Sequence, residues 1–154
     1  MKNNRKIKSF TLSEIIVVLI LTSIVVGLAF SVLGLVQKQM LAIQSNYNKS
    51  LELQKLETSL WLDFNRYSSI HYNTIENQLV LKHELDSVSY TFSRDYIIKT
   101  QDTFQIPLET KLLYFNGVLS ETKKVDAIKL RTTKVYQNRE LFIFKKNDAS
   151  TFMD

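Results

Sequence analysis

The side chain best placed to do chemistry is Glu14. It is a lone carboxylate at the leading edge of a run, Ile15–Val36, that carries no charge, and a basic head of Lys2, Arg5, Lys6 and Lys8 precedes it. A charge inside an apolar helix costs roughly 2.5–3.5 kcal/mol at mid-membrane and less near an interface. A carboxylate kept at that cost implies a cationic partner, unless it sits at headgroup level and reaches water. Other candidates offer less. His71 and His83 are the only histidines, and neither has partners at metal-binding or catalytic spacing. No HExxH, GxSxG, GxxxxGK or EF-hand string occurs. Asp63, Asp86, Asp95, Asp102 and Asp126 are scattered and form no Ca²⁺ loop, which leaves only a site gathered from distant residues. The chain has no cysteine, so it has no disulfide, thiolate metal site or thiol nucleophile. The expectation is a non-enzyme without metal or cofactor.

The elements that must position Glu14 follow from the hydrophobic pattern. At 1.5 Å of rise per residue, Ile15–Val36 is long enough to cross a bilayer as a helix. It exceeds the apolar core of an ordinary signal peptide, and no small-x-small cleavage site closes it. From Thr11 to Tyr67 there is no proline, and only Gly27 and Gly34 interrupt good helix formers. Beyond Val36 the pattern turns amphipathic. Val36, Met40, Ile43 and Tyr47 make one apolar stripe, and Leu53, Leu56, Leu60, Phe64 and Tyr67 another, with a slip in register near Ser50 that implies a bend or a change of packing partner there. A continuous helix over Thr11–Tyr67 would span roughly 85 Å, its first half suited to lipid and its second to packing on a domain.

After Tyr67 the period changes to two. Val88, Tyr90 and Phe92 alternate with serine and threonine, Leu79 and Leu81 flank Val80, and Ile128 and Leu130 alternate with basic residues. Ile97-Ile98, Phe104, Ile106, Leu112–Phe115 and Leu141–Phe144 mark further short strands. Turns are expected at Glu76-Asn77, Ser93–Asp95, Asn116-Gly117 and Gln137–Arg139, with Pro107 at a strand end or edge and a polar tail over 147–154. The fold class is α+β: a long N-terminal helix packed on a C-terminal antiparallel sheet. Trp61, Phe64, Tyr67, Tyr90, Phe92, Tyr114, Phe115, Phe142 and Phe144 are expected to fill the helix–sheet interface. Lys123, Lys124, Lys129, Arg131 and Lys134 form a basic strip, read as a solvated strand face and loop.

The string KIKSFTLSEIIVVLILTSIVVGLAF resembles the N-terminus of type IV prepilins and type II secretion pseudopilins. The shared pattern is a short basic leader, a small residue, Phe at the new N-terminus, Glu as fifth mature residue and then the apolar helix. The resemblance implies that a prepilin peptidase cuts between Ser9 and Phe10 and methylates the Phe10 amine. The family usually has Gly where this chain has Ser9. It also implies the organisation 1–9 leader, 10–36 transmembrane and assembly helix, 37–66 amphipathic continuation and 67–154 β-rich globular domain. A methylated amine stays cationic, so Glu14 of one subunit would pair with the N-terminal amine of a neighbour and set the axial register. Thr22, Ser23, Gly27, Ser31 and Gly34 are small or weakly polar positions that let helices approach. With the leader removed, sixteen basic residues face fifteen acidic ones. The basic balance is therefore largely a leader property that holds the head in the cytoplasm, and nucleic acid is not an expected partner. SLWLDFNRY and VSYTFSRDYIIK are similar to the helix end and first hairpin of minor pseudopilins.

The function implied is a structural subunit, minor rather than major, of a type IV pilus or type II secretion pseudopilus. It would be inserted in the inner (cytoplasmic) membrane with its C-terminal domain exported, and its partners would be the membrane, prepilin peptidase and other subunits. The alternative is an unprocessed, single-pass anchored protein with a small exported binding domain.

Overall fold

The computed structural model describes residues 11–120 and 124–145. The expected leader, Ser9, Phe10, Lys123 and the tail over 147–154 lie outside the described residues. Helix α1 spans Leu12–Arg66. Among the described residues nine strands follow: β1 Ser69–Asn73, β2 Gln78–Lys82, β3 Ser87–Phe92, β4 Ile97–Lys99, β5 Asp102–Phe104, β6 Leu108–Phe115, β7 Val118–Leu119, β8 Ala127–Thr132 and β9 Glu140–Phe144. A 3-10 turn, Lys134–Tyr136, precedes β9. The chain divides into two compact units, Met1–Asn46 and Tyr47–Asp154.

In the first unit, no described side chain between Leu12 and Val36 is buried. The stretch is rich in Ile and Val, yet it is helical. In an apolar medium only a helix satisfies every backbone group within its own segment, and this overrides weak β-branched propensity. Its few polar side chains are served locally. Ser23 Oγ donates to Leu19 O at 2.8 Å, and Thr22 Oγ1 donates to Val18 O. The helix is long and apolar enough to cross a membrane.

In the second unit, Leu53, Leu56, Leu60 and Phe64 of α1 join one core with residues of both sheets, among them Leu79, Leu81, Tyr90, Ile128, Leu130 and Ile143. The α+β class stands, but the strands form two antiparallel sheets rather than one. The first is the meander β1-β2-β3-β4-β5, and the second has the order β7-β6-β8-β9. Residues 105–107 break the ladder. Pro107 has no N–H to donate, and Ile106, expected in a strand, instead plugs the core from this connection. An isolated bridge, His71 to Lys124, and a bond from Val125 N to Ile70 O at 3.2 Å join the sheets at β1. Strand β1 was not legible, because Ser69-Ile70-His71-Tyr72-Asn73 has only two apolar residues to alternate.

Other expectations need correction. The stripe Val36, Met40, Ile43 and Tyr47 is exposed, whereas Leu53, Leu56, Leu60 and Phe64 are buried. Helix α1 runs through Ser50 unbroken, and the slip in register falls where the exposed stripe gives way to the buried one, the change of packing partner expected there. Of the aromatics, Phe64, Tyr67, Tyr90 and Phe92 are core, but Trp61, Phe142 and Phe144 are more than half exposed. In β9 strict alternation buries Leu141 and Ile143 and turns both phenylalanines outward. On α1, Trp61 lies one residue past buried Leu60, which rotates it off the covered face.

Candidate functional site

Glu14 sits in the first turn of α1, where Thr11 is the capping residue. Glu14 N and Ile15 N donate to Thr11 O at 3.1 and 3.3 Å. Glu14 Oε2 in turn accepts from Thr11 N and Thr11 Oγ1, both at 2.9 Å. This is the backward half of a capping box, a carboxylate three residues into the helix satisfying the N–H of the capping residue. The positive end of the helix dipole adds to the stabilisation. Thr11-x-x-Glu14 is a capping signal legible in the sequence itself. The geometry gives Glu14 a local task and leaves Oε1 without a partner among the described residues. The carboxylate is exposed, so it can accept from an external cation while still capping its own helix.

Among the described residues of the second unit, several polar clusters join separate elements. In the first, Lys99 Nζ lies 2.7 Å from Asp63 Oδ2 and donates to Ser59 Oγ at 2.8 Å. Tyr90 donates to Asp63, and its hydroxyl lies 2.9 Å from Ser59 Oγ. Burial, followed by the Asp63 bond, pushes the Tyr90 phenol far up. Serine, lysine and tyrosine in mutual contact are the components of an acyl-transfer site. Here, however, Ser59 accepts from the Lys99 ammonium, which the Asp63 carboxylate also holds, so the lysine is not placed to take the serine proton. The cluster instead fixes α1 on β3 and β4.

In the second cluster, Glu52 of α1 accepts from Gln105 N at 2.6 Å and from the Tyr136 hydroxyl at 2.8 Å, which ties the helix to the connection between the sheets and to the 3-10 turn. Burial and then the Glu52 bond raise the Tyr136 phenol. In the third, Lys111 of β6 reaches across to the first sheet. Its Nζ donates to Tyr72 and to Asn77 Oδ1, and lies 4.2 Å from the Tyr72 ring centre and 4.9 Å from that of Phe92. Burial lowers its pKa to about 8. At the C-terminus of α1, Lys145 Nζ donates to the carbonyls of Tyr67 and Ser68 at 2.5 and 2.8 Å, where the helix dipole favours a cation. Nearby, Tyr67 donates to Asp86 at 2.8 Å, which holds that carboxyl below the usual range.

The expected basic strip is partly neutralised. Lys129 and Arg131 each lie 3.0 Å from a Glu140 oxygen, and these contacts, led by the Lys129 bond, lower the Glu140 pKa. Neither histidine joins a polar cluster of this kind, and no group of three or more potential metal ligands occurs among the described residues. Comparison with family models, with curated proteins and with solved structures gave no match.

Proposed function

We propose that the chain is a structural subunit of a helical filament of the type IV pilus or type II secretion pseudopilus kind, processed between Ser9 and Phe10. The observation that carries this reading is the first part of α1. It is apolar on every side, uncovered, and marked at its start by one carboxylate with an open oxygen. In a bilayer lipid covers that surface. In an assembled filament neighbouring helices cover it, and the Phe10 amine of one subunit meets Glu14 of the next. A mispaired register leaves two buried charges and costs several kcal/mol, so the pair selects one axial stagger.

The capping contact dictates the test. Glu14→Gln keeps a side-chain oxygen for the Thr11 N–H but removes the charge, whereas Glu14→Ala removes both. The expected outcome is that both variants insert and are cleaved, yet both enter filaments poorly. Assembly of Glu14→Gln at the wild-type level would confine Glu14 to helix capping. Intact mass of the purified protein checks the processing step: a chain beginning at methylated Phe10 supports the filament subunit, and a retained Met1 supports an unprocessed anchor.

A further inference from the structure

We propose that the free edge and outer face of β9 dock an extended, acidic segment of a partner polypeptide, added as a fifth strand to the four-stranded sheet. The proposal does not depend on entry into a filament. Among the described residues, strand β9 pairs only with β8. Lys145 N donates to Asp126 O at 2.8 Å, and Thr132 N to Arg139 O at 2.9 Å. In the intervening register, hydrogen-bonded pairs alternate with non-bonded ones, so Leu141 and Ile143 face β8 through their main chains. The main-chain N–H and C=O groups of Glu140, Phe142 and Phe144 therefore point away from the sheet, with no partner among the described residues. The same residues carry the side chains of the outer face. Phe142 and Phe144 are 55% and 54% exposed, and Tyr114 packs edge-on against Phe142 with ring centres 6.1 Å apart. Natural edges are blunted by proline, lysine or a bulge. Strand β9 has no proline or lysine, and its register with β8 is unbroken.

Charge decides the occupant. Across residues 108–145 basic side chains outnumber acidic ones eight to four, whereas across 47–107 acidic outnumber basic eight to six. On the face itself Lys129 and Arg131 share the single carboxylate of Glu140, which leaves excess positive charge beside the rings. A strand with apolar side chains on one face and carboxylates at its ends satisfies the main-chain row, the rings and the cations together. A single-stranded nucleic acid would use the rings and cations but leave the main-chain row unpaired.

Full-length protein in detergent micelles, titrated with the peptide DTVTVTD, whose valines and aspartates share one face of a strand, tests this by amide hydrogen exchange. The expected result is exchange slowed by roughly tenfold or more at Glu140, Phe142 and Phe144. A lysine-flanked peptide, KTVTVTK, and a backbone N-methylated DTVTVTD should give little protection. Phe142→Thr with Phe144→Thr keeps strand propensity and, with an unchanged far-UV spectrum, should weaken binding about tenfold. The proposal is overturned if the three amides gain no protection, if the lysine-flanked peptide binds equally well, or if oligothymidylate occupies the face and the peptide does not.

Discussion

At the scale of single residues, the Asp63–Lys99 ion pair ties α1 to the first sheet. Their side chains are 10% and 23% exposed, so breaking the pair strands a charge in a poorly hydrated place. Lys99→Met should lower unfolding free energy by about 3 kcal/mol, and Asp63→Asn combined with Lys99→Met should recover much of it, because no ion is then left unpaired. Chemical denaturation followed by circular dichroism measures both. If the double variant is as unstable as the single one, the loss comes from packing and not from the orphaned carboxylate. Asp63 was visible in the sequence only as one of several scattered acids. Its partner is 36 positions away in a strand, a pairing that only the meander's register creates.

Among the elements, α1 has two regimes, and its glycines tell them apart. A Cβ built at Gly27 or Gly34 meets nothing within 4 Å, so this chain's own fold does not demand glycine at either position. Any demand must come from helices of other molecules approaching closely. Gly27→Leu and Gly34→Leu should leave the isolated protein at least as helical as wild type, since glycine in a helix interior costs roughly 1 kcal/mol relative to Ala. Both should reduce filament yield. Wild-type assembly of both variants would remove close helix approach at these positions from the account. The Asn116-Gly117 turn behaves differently: both residues have positive φ, at 51° and 76°, as a two-residue hairpin joining β6 to β7 requires. Gly117→Ala should therefore cost about 1 kcal/mol in thermal unfolding, although there is open space for the added methyl.

For the whole molecule, the buried titratable groups shape stability at high pH. Lys111 is usually protonated up to 10.5, and burial brings it to about 8 in the folded state, with the Tyr72 and Phe92 ring faces pulling the other way. Between those values the unfolded chain holds the extra proton, so stability rises with pH. Tyr90 and Tyr136 are shifted upward, so above their ordinary value of 10 the unfolded chain loses protons first and stability falls. Melting curves should thus improve from about pH 8 and turn down above about pH 10, and Lys111→Met should abolish the rise.

By itself the sequence determined the apolar helix, its lone carboxylate, the buried stripe Leu53, Leu56, Leu60 and Phe64, and the alternation of β2, β3 and β8. These are local periodicities of 3.6 and 2, which neighbouring residues write directly into the chain. Tertiary structure decided the division into two sheets, the outward turn of Phe142 and Phe144, and the meeting of Lys99 with Asp63 and of Lys111 with Tyr72. Each depends on which distant strands pair and in what register, and shifting a strand by one residue would send every side chain in it to the opposite face.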